Sequence, residues 1–203
     1  QTPGENAQRY FAKYNKQKRT FEALTELIRE TADDIEYLES IGNALDIALS
    51  EADLAQIKEE LMLSGYIRRK HTKKKVKLTS KPMHYISSDG YDMYVGKNNL
   101  QNEELTFSLA NGNDWWFHAK GTPGSHVIVK SGGNELPDQT FEEAGRLAAY
   151  YSKNRGADKV EIDYIQKKHV KKPNGAKPGF VVYYTNYSLV IDSDISNIKN
   201  VQD

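Results

Sequence analysis

Met83-His84-Tyr85-Ile86-Ser87-Ser88-Asp89-Gly90-Tyr91-Asp92-Met93-Tyr94-Val95 is where the chain changes rhythm. Apolar and aromatic residues alternate on both sides of Asp89-Gly90, and Asp-Gly is a two-residue hairpin signal. Strands are expected from Met83 to Ser88 and from Tyr91 to Val95. Upstream the apolar spacing is three to four; from this point it is two. The fold class is therefore α+β: a long N-terminal coiled-coil-type helix plus a short helix, followed by a mainly antiparallel sheet with two helices.

Working upstream, residues 5–49 read as one helix. Tyr10, Tyr14, Phe21, Leu24, Ile28, Ile35, Leu38, Leu45 and Leu49 recur as a heptad-like seam, interrupted at Gln17, Thr31 and Gly42. Such a helix is roughly 65 Å long. Its narrow seam calls for a partner helix, so self-association through residues 10–49, or bending back onto the second helix, is expected. An ordinary core-facing stripe is the alternative. Ser50 with Asp53 reads as a capping box for a short helix carrying Leu54, Ile57, Leu61 and Leu63, with Gly65 as its C′ residue. A cation run follows: Arg68, Arg69, Lys70, Lys73, Lys74, Lys75, Lys77 and Lys81.

Working downstream, Asn99 to Leu109 can form a helix. Trp115 to Ala119 and Ser125 to Lys130 read as strands. Thr140 reads as the cap of a helix ending near Asn154. Val160 to Ile165, Phe180 to Tyr184 and Ser188 to Ile191 are β-rich, and residues 192–203 read as frayed. Residues 1–80 are thus expected to form an arm and basic hinge, and residues 81–203 a compact domain.

The net charge of zero conceals segregation. Residues 22–60 hold twelve carboxylates against Arg29 and Lys58, a net of −10, while the first 21 residues are +4. Local fields therefore bear on partners more than the total does. There are no cysteines, which excludes disulfides, thiolate metal sites and a cysteine nucleophile. No apolar run approaches the roughly 20 residues of a membrane span, so no membrane insertion is expected. The first residues lack the apolar core of a signal peptide.

Asp114-Trp115-Trp116-Phe117-His118-Ala119-Lys120 holds both tryptophans of the chain. In a strand, Trp115 and Phe117 face one side, Trp116 and His118 the other. If only one face is core, Trp116, His118 and Lys120 form a surface that can stack on a base or pair with phosphate. If both faces are covered, these residues are packing. A triad from Asp114, His118 and Ser125 would need an oxyanion hole that nothing supplies. His118 and His126 lack a spacing that presents both to one metal. No catalytic residue, metal or cofactor is therefore assigned. Between 166 and 179 lies a Pro/Gly-punctuated loop with Lys167, Lys168, His169, Lys171, Lys172 and Lys177. With Arg68, Arg69 and Lys70 these cations suit a phosphate backbone or an acidic polymer, or else solubilise the surface. Gly175 to Gly179 lacks Walker spacing and is not a phosphate loop.

The stretch from Asp114 to Lys130, DWWFHAKGTPGSHVIVK, resembles the signature of the NFACT-R domain of the NFACT family, which includes bacterial fibronectin-binding and RqcH proteins. Tyr94 to Asn99 with Asn102 to Thr106 resembles the opening segment of that domain, and Lys97 joins the candidate binding residues there. Lys168 to Pro173 with Lys177 to Gly179 resembles its basic loop. The helix ending at Ser64-Gly65-Tyr66-Ile67 resembles the end of the family's coiled coil. The resemblance implies a C-terminal piece, of streptococcal type, that starts in the returning arm of a coiled-coil hairpin. It implies binding to tRNA and the large ribosomal subunit in rescue of stalled ribosomes, in the cytoplasm and without enzymatic activity. For streptococcal members it also implies a surface adhesin without a recognisable anchor that binds fibronectin.

Overall fold

The computed structural model describes residues 2–68 and 80–201. Two compact units are present, residues 1–38 and residues 39–203. The first unit holds the greater part of α1 (Pro3–Ile47). Thr25 and Thr31 donate their hydroxyls to the carbonyls four residues back, at Phe21 and Leu27. The heptad-like residues Tyr10, Tyr14, Phe21, Leu24, Ile28 and Ile35 are all exposed, so the seam is uncovered in the single chain.

In the second unit the end of α1 uses a different face. Ile41, Ala44 and Ile47 are buried, whereas Leu45 and Leu49 are exposed. The heptad pattern misplaces this face, because docking onto a domain needs only two helical turns and these two are rotated off the seam. Asn43 donates Nδ2 to the Tyr151 carbonyl at 3.3 Å. Ser50 and Asp53 form the expected capping box of α2 (Glu51–Leu63), and Gly65 follows with a positive φ of 82°. Of the expected face of α2, Leu54, Ile57, Leu61 and Leu63, only Ile57 is fully buried. The polar Asp53 and Glu60 are buried with it, while Leu54 and Leu63 stay exposed.

Among the described residues, seven antiparallel strands form one sheet: β1 (Met83–Ile86), β2 (Asp92–Val95), β3 (Trp115–Ala119), β4 (Val127–Val129), β5 (Val160–Gln166), β6 (Tyr187–Ile191) and β7 (Lys199–Asn200). Their order is β6-β5-β3-β4-β2-β1-β7. The hairpin between β1 and β2 closes at Ser87 and Tyr91, leaving three loop residues with Gly90 at φ 86°, rather than the expected two. The extra residue shifts the positive φ onto the glycine alone, which spares Asp89 that strain.

One face of the sheet is packed by α4 (Asp138–Tyr150), whose Ala144, Leu147 and Ala148 meet Met93, Val95, Phe117, Val127 and Ile162. Thr140 is not its cap. That place belongs to Pro137, and Thr140 is buried with its hydroxyl against Ser87 Oγ and Asp89 Oδ2. The other face carries α3 (Asn99–Glu104), which passes directly into a single π turn, Leu105–Leu109, closed by Ala110 N donating to Leu105 O at 2.9 Å.

Phe180 to Tyr184 is not a sheet strand. Lys171 and Val182 exchange both backbone hydrogen bonds as an isolated bridge, and Val181 and Tyr183 lie over that second face. The terminal residues are not simply frayed either, since β7 pairs with β1 and Ile198 is buried. Among the described residues no helix is long and apolar enough to cross a membrane.

Candidate functional site

The strand holding both tryptophans is covered on both sides. Trp115 packs edge-on to Phe141 at 4.9 Å, beneath α4. Trp116, on the opposite face, is also fully buried, enclosed by Leu105, Ile128, Ile165, Val170 and Tyr183. The stacking surface considered for Trp116 is therefore absent: the π turn on one side and Tyr183 on the other cover the indole. The Asp114–Lys130 motif acts as an internal brace. Asp114 accepts from Asn111 N, Ser131 N and Lys130 Nζ. His126 N donates to Asn102 Oδ1 at 2.9 Å, and His126 Nδ1 meets Thr106 Oγ1 at 2.8 Å. Gly96 makes room for this, since a Cβ there would come within 2.2 Å of Asn102 Oδ1.

The spacing of His118 and His126 is no reason to bring them together, yet their rings meet edge to face at 5.4 Å. The reversal between β3 and β4 places both on the Trp116 face. Desolvation lowers the His118 imidazole to about 4 against the pull of the Gly124 backbone and Asp163. Desolvation, then His118 itself, holds His126 well below its ordinary value. The pair is neutral at physiological pH. Among the described residues no group of three or more metal-ligand side chains exists.

Lys97 is also a structural residue. It lies with 10% of its side chain exposed against the buried Asp53 carboxylate at 2.5 Å. Burial alone would raise Asp53, but hydrogen bonds from Lys97, Ser80, Leu49 N and Ser50 outweigh it and bring it down to about 2. Around this pair Asn98 and Gln101 donate to Gln56 Oε1 at 2.8 Å, and Asn99 donates to Glu60 at 2.9 Å. This buried polar seam fastens α2 to α3. Lys97 is therefore a poor candidate for an external anion.

Lys120 pairs with Glu161 at 2.5 Å. It sits at the far end of β3 from the basic loop, because Trp115 is opposite Gln166 and Ala119 opposite Ile162. Arg68 is exposed, while Arg69 and Lys70 lie outside the described residues.

The basic loop itself is ordered by its backbone. A 3-10 turn, Lys167–His169, follows β5 directly. Lys167 N donates to Asp114 O at 2.8 Å and Lys168 N to Gly112 O at 2.9 Å. Lys167 Nζ lies 5.7 Å from the Phe107 ring centre. Lys172 pairs with Glu103 at 2.7 Å, and Lys177 donates to Tyr66 Oη at 3.0 Å. Lys168, His169 and Lys171 are exposed and belong to no ion pair among the described residues. The exposed rings of Phe180 and Tyr184 follow in the same segment. Cations held by a fixed backbone beside exposed aromatics suit a polyanion with stacking bases.

The same face also carries an open cleft of about 430 Å³, lined by Lys81, Pro82, His84, Tyr94, Glu104 and Leu109, which no sequence motif marks. His84 and Tyr94 are cross-strand partners whose rings stack at 4.6 Å and 10°. The sequence holds no direct signal for it: a two-residue Asp89-Gly90 turn would pair His84 with Val95, and only the three-residue loop centred on Asp89 sets His84 opposite Tyr94. A second cavity of about 270 Å³, at Glu143, Asp192 and Asp194 beside Arg146, is rich in carboxylates and unsuited to an anion.

Residues 1–80 match the family model of the NFACT N-terminal and middle domains, and residues 81–185 match that of the NFACT protein RNA binding domain. The chain is 45% identical over 202 residues to the Rqc2 homolog RqcH of Streptococcus pneumoniae serotype 2 (strain D39), covering 99% of this chain and 36% of that protein. It is 42% identical to the Rqc2 homolog RqcH of Bacillus subtilis (strain 168), covering 97% and 35%. The chain thus spans about a third of the length of these curated relatives. A solved structure, the C-terminal part of the fibronectin/fibrinogen-binding protein from Streptococcus suis, superposes with a TM-score of 0.88 at 43% identity, over 98% of this chain and 80% of that one.

Proposed function

The chain belongs to the NFACT family, and from that premise we propose that it is the RNA-contacting part of a ribosome quality-control factor, working by binding and not by catalysis. The supporting observation is the turn at 167–171, where Lys168, His169 and Lys171 stand exposed on backbone anchored to Gly112, Asp114 and Val182. A backbone already fixed in place has no loop left to order when its lysines meet phosphates, and each phosphate neutralised releases a counterion. In this reading the 81–203 domain grips tRNA or RNA of the large ribosomal subunit, the 1–80 segment acts as a reaching arm and hinge, and the place of action is the cytosol. The names of the S. pneumoniae and B. subtilis relatives support the ribosomal assignment. The test is RNA binding as a function of salt. Lys168→Glu/Lys171→Glu should weaken binding to tRNA and lower the salt slope by roughly 0.7–0.9 for each phosphate that is no longer neutralised. Unaltered binding would remove the turn from the interface.

A second reading has one observation behind it, the name of the S. suis protein, which specifies fibronectin and fibrinogen. It would be a protein-binding activity of the same region. Surface plasmon resonance against immobilised fibronectin discriminates the two. Saturable binding that persists at high salt supports a dedicated protein interface, and loss at moderate salt points to unspecific attraction by the basic loop.

A further inference from the structure

The register of the sheet lines up five residues on one face: His84, Tyr94, Ile128, Trp116 and Ile165. Leu105 and Tyr183 pack over the Ile128–Trp116–Ile165 part of that row. The His84–Tyr94 end lies at the cleft, and both residues are only partly buried. Two parallel aromatic rings at an open cleft offer a face on which a third flat ring can extend the stack. At about 430 Å³ the cleft is within the range of roughly 300–1,000 Å³ typical of small-molecule sites. Lys81 is exposed at its rim.

The π turn has contacts with both the cleft and the basic loop. Leu105, Ser108 and Leu109 line the cleft, while Phe107 of the same turn carries Lys167. Lys130 Nζ donates to Leu109 O at 3.0 Å, and Gly112, three residues on, anchors Lys168. Single π turns recur at functional sites because the added residue pushes side chains out of helical register. Here Phe107 meets Lys167 while Leu105, Ser108 and Leu109 line the cleft, so that one turn borders both.

We propose that this cleft seats one unpaired nucleotide of the bound RNA, its base stacked on the Tyr94–His84 pair and its phosphate towards Lys81. The assignment rests on the RNA-binding reading above and deepens it. The Glu104 carboxylate also lines the cleft and repels phosphate, which orients the nucleotide. The outcome is a site that reads single-stranded over duplex RNA, because a base held in a helix cannot enter.

The test uses the full chain, fluorescein-labelled octa-adenylate, and polyphosphate as a polyanion without bases. Tyr94→Ala should weaken octa-adenylate on the order of tenfold, given what one stacked base contributes, and leave polyphosphate unchanged. Ser108→Trp fills the cleft from an exposed position and should do the same; it decides the matter if Tyr94→Ala fails to fold. Tyr94→Phe keeps the ring and should bind like the parent chain. If Ser108→Trp and Tyr94→Ala bind octa-adenylate normally while Lys168→Glu/Lys171→Glu does not, the cleft assignment is wrong and the RNA-binding reading stands. If the parent chain binds tRNA but no octa-adenylate at low salt, the cleft assignment alone is wrong; if it binds neither, both fall.

Discussion

Asp53 and Lys97 show how much of this domain depends on single buried charges. Asp53 is 1% exposed, yet it stays ionised because four groups donate to it. Its folded pKa is depressed, so its stabilising effect is present above the ordinary carboxylate value near 4 and is lost as pH falls through about 2. Asp53→Ala would leave Lys97 buried and unpaired and should cost about 3 kcal/mol in denaturant unfolding. His118 and His126 act in a higher window. Burial lowers both, so the unfolded chain takes up protons first. For His118 stability should therefore fall as pH drops from about 6.5 to about 4. Unfolding by urea at pH 7 and pH 5 measures this, and His118→Gln should shrink the difference. The residue identities are legible in the sequence, but their surroundings are not. Lys97 reads as an external cation until Asp53, 44 positions away, is placed against it. Trp116 reads as a base platform until Tyr183 covers it. Both depend on packing between segments that share no local pattern.

At the scale of elements, the capping box at Ser50, the strands β1 to β5 and the first helical arm are readable, because periodicity and caps are local. The π turn at Leu105–Leu109 is not, since its apolar spacing matches an ordinary helix. Phe180 to Tyr184 carries strand-like residues but pairs with the sheet nowhere, because Tyr183 is engaged by Asp163 and Trp116. Two predictions belong here. Gly96→Ala must displace Asn102 and with it the His126 backbone bond, and should lower the melting temperature by several degrees, corresponding to about 1–3 kcal/mol. Along α1, Tyr14, Phe21, Ile28 and Ile35 remain exposed. If that seam joins a second copy, sedimentation will show concentration-dependent association that Phe21→Glu/Ile28→Glu abolishes. A monomer at all concentrations would show that the seam serves no self-association.

For the whole molecule, binding depends on charge placed on a rigid support. Of the cations expected to meet a partner, Lys97, Lys120 and Lys172 are held by carboxylates. Lys168, His169 and Lys171 stand exposed, and the bridge from Lys171 to Val182 ties them to the segment that carries the exposed Phe180 and Tyr184. That division makes the interface smaller and more definite than the number of basic residues suggests. The measurement that bears on it most directly is the dependence of tRNA affinity on salt for the parent chain and for Lys168→Glu/Lys171→Glu. A rigid cationic turn predicts affinity that falls steeply with salt in the parent, and weaker binding with a shallower slope in the variant. Equal affinities and equal slopes for the two would contradict it.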